Sequence, residues 1–387
     1  MTKLLEAVAD LEEDLASLHA LRSEWIALRI EHDALSARVR EHISNPASWS
    51  GLSPADTTDR IQAMLDVGRC NLPARTFQID RPLRTQYNQF DGWMRGYNDF
   101  GSDDCTTRLE YVGPPGEPML IVESAMGLID GIVFDCNSRA TAGIHYQKRA
   151  NGAGHYSPGK SRVPFARVEK ATVAAIICGQ EPHDEHCDNT TWGFLSVEKC
   201  PLVMLAHNGQ SMGHDFSFVH AYETSKGWEF RGGGILDVGF TKFLHPGTLL
   251  TINEQRGPSN KATIGTGDFR YRFGMVKADS QAGGLCLLEK KGITNCRVSF
   301  DRGIIPQGSA KLIDVEGRVV VRIRDFGKIN KNSIIAVPDR RGKANIRLSD
   351  CEMAYGITDP SETLAANSEA YFSADGCYNE QCEPVES

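Results

Sequence analysis

The chain has 387 residues, of which 41% are hydrophobic and 24% charged, and a net charge of -8; this is the composition of a soluble folded protein with a sizeable core. The acidic balance, with no Lys/Arg block, argues against a broad phosphate-binding surface and a nucleic-acid partner, and weakens the case for holding an anionic membrane by electrostatics alone. No run reaches the ~18 apolar residues that span a bilayer.

The first residues include Glu6, Asp10, Glu12, Glu13 and Asp14, where a secretory signal needs a basic start and an apolar run. The expected setting is the virion or, alternatively, the cytoplasm, without export by a signal peptide. The eleven cysteines lack a repeated close pair, and Cys136, Cys178, Cys200, Cys286 and Cys296 sit in apolar stretches as small hydrophobes. A disulfide framework is not expected. Cys377 and Cys382 alone are spaced to close a small loop in an oxidising environment, and their spacing leaves open whether they do.

Residues 3–43 contain no Pro or Gly, and their apolar positions step by four and three: Leu4, Val8, Leu11, Leu15, Leu18, Leu21, Trp25, Leu28, Leu35 and Val39. The extra step of three at Leu18–Leu21 is a stammer, and His32 is a polar residue in the seam. The pattern predicts a coiled-coil segment over 1–44 that joins copies through residues 4–43, with a trimer favoured; a single helix docked on its own domain is the alternative. Asn45 to Pro54 is a breaker cluster, so residues 45–69 read as a linker and a short helix. That helix is capped by Asp56-Thr57-Thr58 and ends in a turn near Gly68.

From residue 70 to 356 the pattern changes to short strands separated by Gly, Asn and Asp. Phe194, Phe216 and Val238 lie 22 residues apart, as do Ser196, Phe218 and Phe240, and Asp301, Asp325 and Asp350 end similar strands at intervals of 24 and 25. Recurrence at this period predicts a β-solenoid, in which each turn shares its core with the next. A sandwich would repeat at about 8–12 residues. Residues 357–387 read as a polar, acidic tail.

Residues 56–83 resemble the opening segment of the pectate-lyase-like right-handed parallel β-helix superfamily. The matching elements are Asp56-Thr57-Thr58, the helix Ile61 to Asp66, Leu72-Pro73, Phe77-Gln78-Ile79 and Arg81-Pro82-Leu83. The family's Pro-x-Gly turn is here Pro73-Ala74-Arg75, and Gly127 to Asn137 is similar to its first full coils. The resemblance implies a mainly β fold whose open end is plugged by the short helix, and an elongated face that binds or cleaves polysaccharide. A helical segment in front of such a fold is similar to phage tail spikes. It implies a virion-associated spike, fibre or decoration protein that recognises a host-surface glycan and attaches to a particle or complex through its N-terminus. A lyase or glycoside hydrolase of the same fold and a purely structural assembly protein are the alternatives.

Candidate site residues follow from the repeat. Asp215 and Asp237, 22 residues apart, fall one turn apart on an outward face, with His214 beside the first. Two carboxylates at such a distance suit glycosidic cleavage, although polar outward positions produce such pairs in any solenoid. Asp103-Asp104, Gly213-His214-Asp215 and Arg322-Ile323-Arg324 follow the order of polygalacturonase elements but depart from them in sequence and placement, and read as coincidence. Trp192 and Trp228 are the candidate sugar-stacking residues, among Trp93, Tyr97, Tyr146 and Tyr156, although core packing explains any one of them. His183, His186 and Cys187 lie in a polar loop without a second half-site, so no metal and no cofactor is called for. The loop Lys148 to Val163 reads as an excursion from the solenoid, where recognition commonly resides.

Overall fold

The computed structural model describes residues 46–85, 92–97, 106–123, 127–147, 160–179, 189–207, 211–232, 234–244, 247–253, 269–279, 285–291, 295–304, 311–327, 329, 334–337, 344–353, 371–375 and 378–379. The heptad segment, the polar loop at 181–188 and the excursion at 148–159 lie outside them, as does most of the tail. The chain divides into two compact units, Met1–Gly51 and Leu52–Ser387. Of the first, a 3-10 turn at Pro46–Trp49 is described.

The second unit is mainly β, and every pairing given for its strands is parallel. The chain alternates between two long ladders. The first contains, in order, Arg69–Asn71, Trp93–Arg95, Leu128–Asp130, Arg162–Glu169, Thr191–Glu198, Ser211–Tyr222, Gly234–Leu244, Phe269–Asp279, Cys296–Phe300, Val319–Arg324, Asn345–Ser349 and Tyr371–Asp375. The second runs from Leu83–Arg84 to Ile334–Val337. A parallel neighbour needs a long return path, and here the other ladder supplies it. This alternation is compatible with a parallel β-solenoid.

The core is made of inward columns, one residue per turn. In the first ladder Val163, Trp192, Phe216, Val238, Phe273, Phe300, Ile323 and Leu348 are successive partners, all buried. In the second, Leu120, Ile144, Ile176, Met204, Trp228, Leu250, Leu288, Ile313 and Ile334 stack in the same way. No single turn can bury its inward residues alone, so each depends on its neighbours; in the second ladder Ile176–Cys178 and Leu202–Ala206 are buried at every position.

The turns vary in length, and this corrects part of the sequence register. Phe216 pairs with Trp192 rather than with Phe194, and His220 rather than Phe218 pairs with Ser196. The next step agrees with the 22-residue spacing, since Phe216 pairs with Val238 and Phe218 with Phe240. Asp301 is likewise displaced by one, because Phe300 pairs with Ile323. The irregularity lies in the connections, which lengthen without disturbing the inward columns.

The opening helix, α1, spans Pro54–Asp66, and its cap is Ser53, whose side chain accepts from the Asp56 backbone N–H at 3.1 Å. The start is therefore earlier than the expected Asp56-Thr57-Thr58, with Pro54 at a first-turn position that needs no N–H. Thr57, Thr58, Ile61, Met64 and Leu65 are buried. Thr58 Oγ1 accepts from the Asp80 N–H at 3.0 Å, Gln62 exchanges two 2.8 Å hydrogen bonds with the Arg84 backbone, and Arg81 pairs with Asp59. The helix is thus tied to the first turn of strands, shielding apolar surface and sheet edge that would otherwise invite association.

The long strands of the first ladder bend midway. Along Thr191–Glu198 the burial pattern breaks its alternation, with Gly193 and Phe194 both outward between buried Trp192 and Leu195. A Cβ on Gly193 would lie 2.4 Å from the Pro164 carbonyl oxygen, and one on Gly239 would lie 2.8 Å from that of Ser217. Glycine permits this close approach of backbones from turn to turn. Beyond the bend, Arg108 bonds Asp135 at 3.1 Å and Glu169 at 2.8 Å, while Arg167 reaches Glu169 and Glu198 at 2.6 Å each. Asp135 and Glu169 are only 7% and 5% exposed, so these pairs form a partly buried network, which is screened less than surface pairs.

Candidate functional site

Alternation along each strand sends every second side chain outward. Before the bend, one outward column runs through Arg162, Thr191, Asp215, Asp237, Arg272, Ser299, Arg322 and Arg347. Asp215 and Asp237 are direct partners on adjacent strands, as their spacing suggested, and both are exposed. Arg272 follows on the next strand, 3.7 Å from Asp237 and 3.0 Å from Asp301. Arg324 is 3.9 Å from Asp301, and Arg302 is 2.9 Å from Asp325.

The Asp237 carboxyl is held above its ordinary value, first by partial burial, against the lowering effect of Arg272 and with a further upward push from Asp215 and Asp301. Arg272 is raised by its hydrogen bond and attraction to Asp301, and then by Asp237. A neighbouring acid pair with one member pushed up can divide acid and base roles. The pair is open to solvent, however, with the Asp237 side chain 51% exposed.

His214 does not join that face. It is 1% exposed on the opposite side of its strand, because consecutive residues alternate. Its Nδ1 lies 2.7 Å from Thr190 Oγ1, which also accepts from Trp192 Nε1 at 3.0 Å. Trp192 and Trp228 are interior as well, both 0% exposed. Trp192 stacks on Phe216 at 5.5 Å, and Trp228 meets Phe216 and Phe273 edge-on at 5.8 and 5.4 Å. These tryptophans fill the core and offer no face to a sugar.

The accessible aromatic groups are others. Trp93 is half-buried with the guanidinium carbons of Arg69 and Arg95 at 5.5 and 5.6 Å from its ring centroid, within cation–π range. Tyr97 is 59% exposed. Asp103, Asp104, His183, His186 and Cys187 lie outside the described residues, among which no cluster of three metal-ligating side chains occurs.

The feature that motif reading passed over is a field of arginines. Arg270, Arg272, Arg297, Arg322, Arg324 and Arg347 are exposed and alternate with buried neighbours on four successive strands of the first ladder. Its signal was the alternation itself, in FRYRF, CRVSF, VRIR and IRLS, where Arg takes the outward places of otherwise apolar strands.

No family model, curated protein or solved structure matches this chain.

Proposed function

We propose that the protein is a virion-associated spike, fibre or decoration protein, a pectate-lyase-like right-handed β-helix that recognises a host-surface glycan. In this reading residues 4–43 join copies, three at a time, and the N-terminus attaches to the particle. The observation that carries the glycan reading is the arginine field, six guanidinium groups on four adjacent strands of a chain whose net charge is -8. Planar guanidinium groups donate in pairs to carboxylate and sulfate, and neighbouring strands present them at steps of about 4.8 Å. The field therefore suits a long, anionic sugar chain laid across the strands.

The test is calorimetric titration with a polyuronate and, as control, a neutral dextran. Arg322→Gln with Arg347→Gln should weaken polyuronate binding at least tenfold, since a charge-assisted hydrogen bond contributes about 1.5–3 kcal/mol. Affinity unchanged in the double variant would overturn the assignment of this face.

A second reading, cleavage of the glycan, is favoured by the pairing of Asp215 with Asp237 in register on adjacent strands and by the raised carboxyl of Asp237. New reducing or unsaturated ends from an acidic capsular polysaccharide, lost in Asp215→Asn and Asp237→Asn, would establish a hydrolase or lyase. Intact polymer after prolonged incubation would leave recognition alone.

A further inference from the structure

The first ladder opens with the short strands Arg69–Asn71, Trp93–Arg95 and Leu128–Asp130, followed by Arg162–Glu169. Their middle residues Cys70, Met94 and Ile129 are buried in the core, so the residues on either side face outward. One outward column runs Arg69, Trp93, Leu128 and Arg162, and beside it runs Asn71, Arg95 and Asp130. The charged groups of this patch are therefore Arg69, Arg95, Arg162 and Asp130. None of the four has an ion-pair partner among the described residues, not even Arg95 and Asp130, which are opposite each other in the ladder. Elsewhere Arg84, Arg108, Arg167, Arg231 and Arg272 each hold a carboxylate.

What holds Arg69 and Arg95 is an indole. Their guanidinium carbons lie 5.5 and 5.6 Å from the Trp93 ring centroid. Arg69 sits directly across the ladder from Trp93, and Arg95 is two residues along the strand of Trp93 itself. The ring is fixed in turn, because Trp93 Nε1 donates to Asn71 Oδ1 at 3.1 Å. A guanidinium attracted to an aromatic ring keeps its N–H groups for another partner. Two like charges drawn to one ring also repel each other, and an anion placed between them removes that cost.

We infer that Arg69, Trp93 and Arg95 form a binding subsite for an oxyanion, the carboxylate or sulfate group of an acidic sugar, with both guanidinium groups donating to it. Guanidinium N–H groups match such oxygens in pairs. Positions set in advance by the indole and Asn71 reduce the ordering cost of binding. Tyr97 follows Arg95 by two residues and is 59% exposed, which provides an open aromatic face for the apolar side of a sugar ring.

The subsite is distinct from the arginine field. Along the shared outward column Trp93 and Arg272 are six strand steps apart, roughly 29 Å at about 4.8 Å per step. Asp215 and Asp237 lie between them, so an anionic chain is held at two places rather than along one continuous track. Assigning a sugar to the oxyanion rests on the glycan reading above; the oxyanion clamp itself does not.

The test follows the full chain, labelled with fluorotryptophan, by fluorine NMR, in which the Trp93 signal is the one absent from Trp93→Phe. The probes are trigalacturonate, sodium sulfate and, as neutral control, maltotriose, at constant ionic strength. Each is added to the parent, to Arg69→Gln, to Arg95→Gln and to the field variant Arg322→Gln with Arg347→Gln, while calorimetry gives polyuronate affinity. The expected result is a saturable shift of the Trp93 signal with trigalacturonate and none with maltotriose, retained in the field variant. Each of Arg69→Gln and Arg95→Gln should weaken that response about tenfold or more, through loss of a charge-assisted hydrogen bond. A Trp93 signal that neither trigalacturonate nor sulfate moves overturns the subsite, and polyuronate affinity retained in that case leaves the glycan reading standing. A shift with sulfate alone keeps the clamp and overturns its assignment to a sugar. A shift unchanged in both arginine variants, or matched by maltotriose, overturns the clamp.

Discussion

Trp192 and Trp228 have the same burial and opposite polar bookkeeping, so replacing each by Phe separates packing from hydrogen bonding. Either substitution removes part of a fully buried side chain, costing about 1–2 kcal/mol at ~0.8 kcal/mol per methylene-sized group. Trp228 Nε1 is buried with no hydrogen-bond partner among the described residues. Removing it relieves a desolvation cost of about 1–3 kcal/mol, so Trp228→Phe should lie within about 1 kcal/mol of the parent. Trp192 Nε1 instead donates to Thr190 Oγ1, itself joined to His214. Trp192→Phe breaks that chain and adds about 1 kcal/mol to the packing loss, for a total of roughly 2–3 kcal/mol. Trp228→Ala, at about 3–5 kcal/mol, calibrates the scale. The assay is equilibrium urea unfolding followed by far-ultraviolet circular dichroism, comparing midpoints where the slope is unchanged. If Trp228→Phe shifts the midpoint as far as Trp192→Phe does, the account of the unpaired indole N–H is wrong.

Four further outcomes are expected. Arg108→Met should destabilise by about 2–3 kcal/mol, below the ~3–5 of a fully orphaned buried ion, because Lys170 still holds Asp135 at 3.0 Å and Arg167 still holds Glu169 at 2.6 Å. Arg302→Gln, which breaks a pair whose side chains are 65% and 55% exposed, should cost under about 1 kcal/mol in the same denaturation series. His145 is held below its ordinary value, chiefly by burial, against the raising effect of its 2.8 Å hydrogen bond to the Gly179 carbonyl. The unfolded chain therefore takes up this proton first, so stability is complete above about pH 6.5 and declines as pH falls from there towards the folded value. His220 is lowered too, so His145→Gln should flatten the decline in thermal midpoint between pH 7 and 5 without abolishing it; an unchanged slope counts against the assignment. Gly193→Ala should cost about 3 kcal/mol or more, the upper end for overpacking, because the Pro164 carbonyl it meets is backbone that cannot swing aside. Gly51→Ala, which meets no atom within 4 Å, should cost only about 1–2 kcal/mol for its left-handed φ of 77°; equal losses would show that the strand bend has room for a side chain.

The periodic information in this chain was legible without a structure. Strand-length fragments recurring at 22 to 25 residues announced stacked turns, and the Asp215–Asp237 neighbours followed from one such interval. Periodicity works here because each inward residue must lie over another inward residue, whatever the connection between them does. The opening helix was also visible, although its cap was placed three residues late because Ser53-Pro54 read as a breaker.

What the tertiary structure alone decided was which side each residue takes. Trp192, Trp228 and His214 are chemically suited to a site yet lie inside. A β-strand reverses the direction of its side chains at every residue, so the side is set by the register. That register slipped by two between Phe194 and Phe216, because turn length varies in connections that no local pattern constrains. The bend that puts Gly193 and Phe194 on the same side broke the alternation again. It turned four phenylalanines of apparent core type into an outer ridge, a rearrangement fixed only by the meeting of backbones from successive turns.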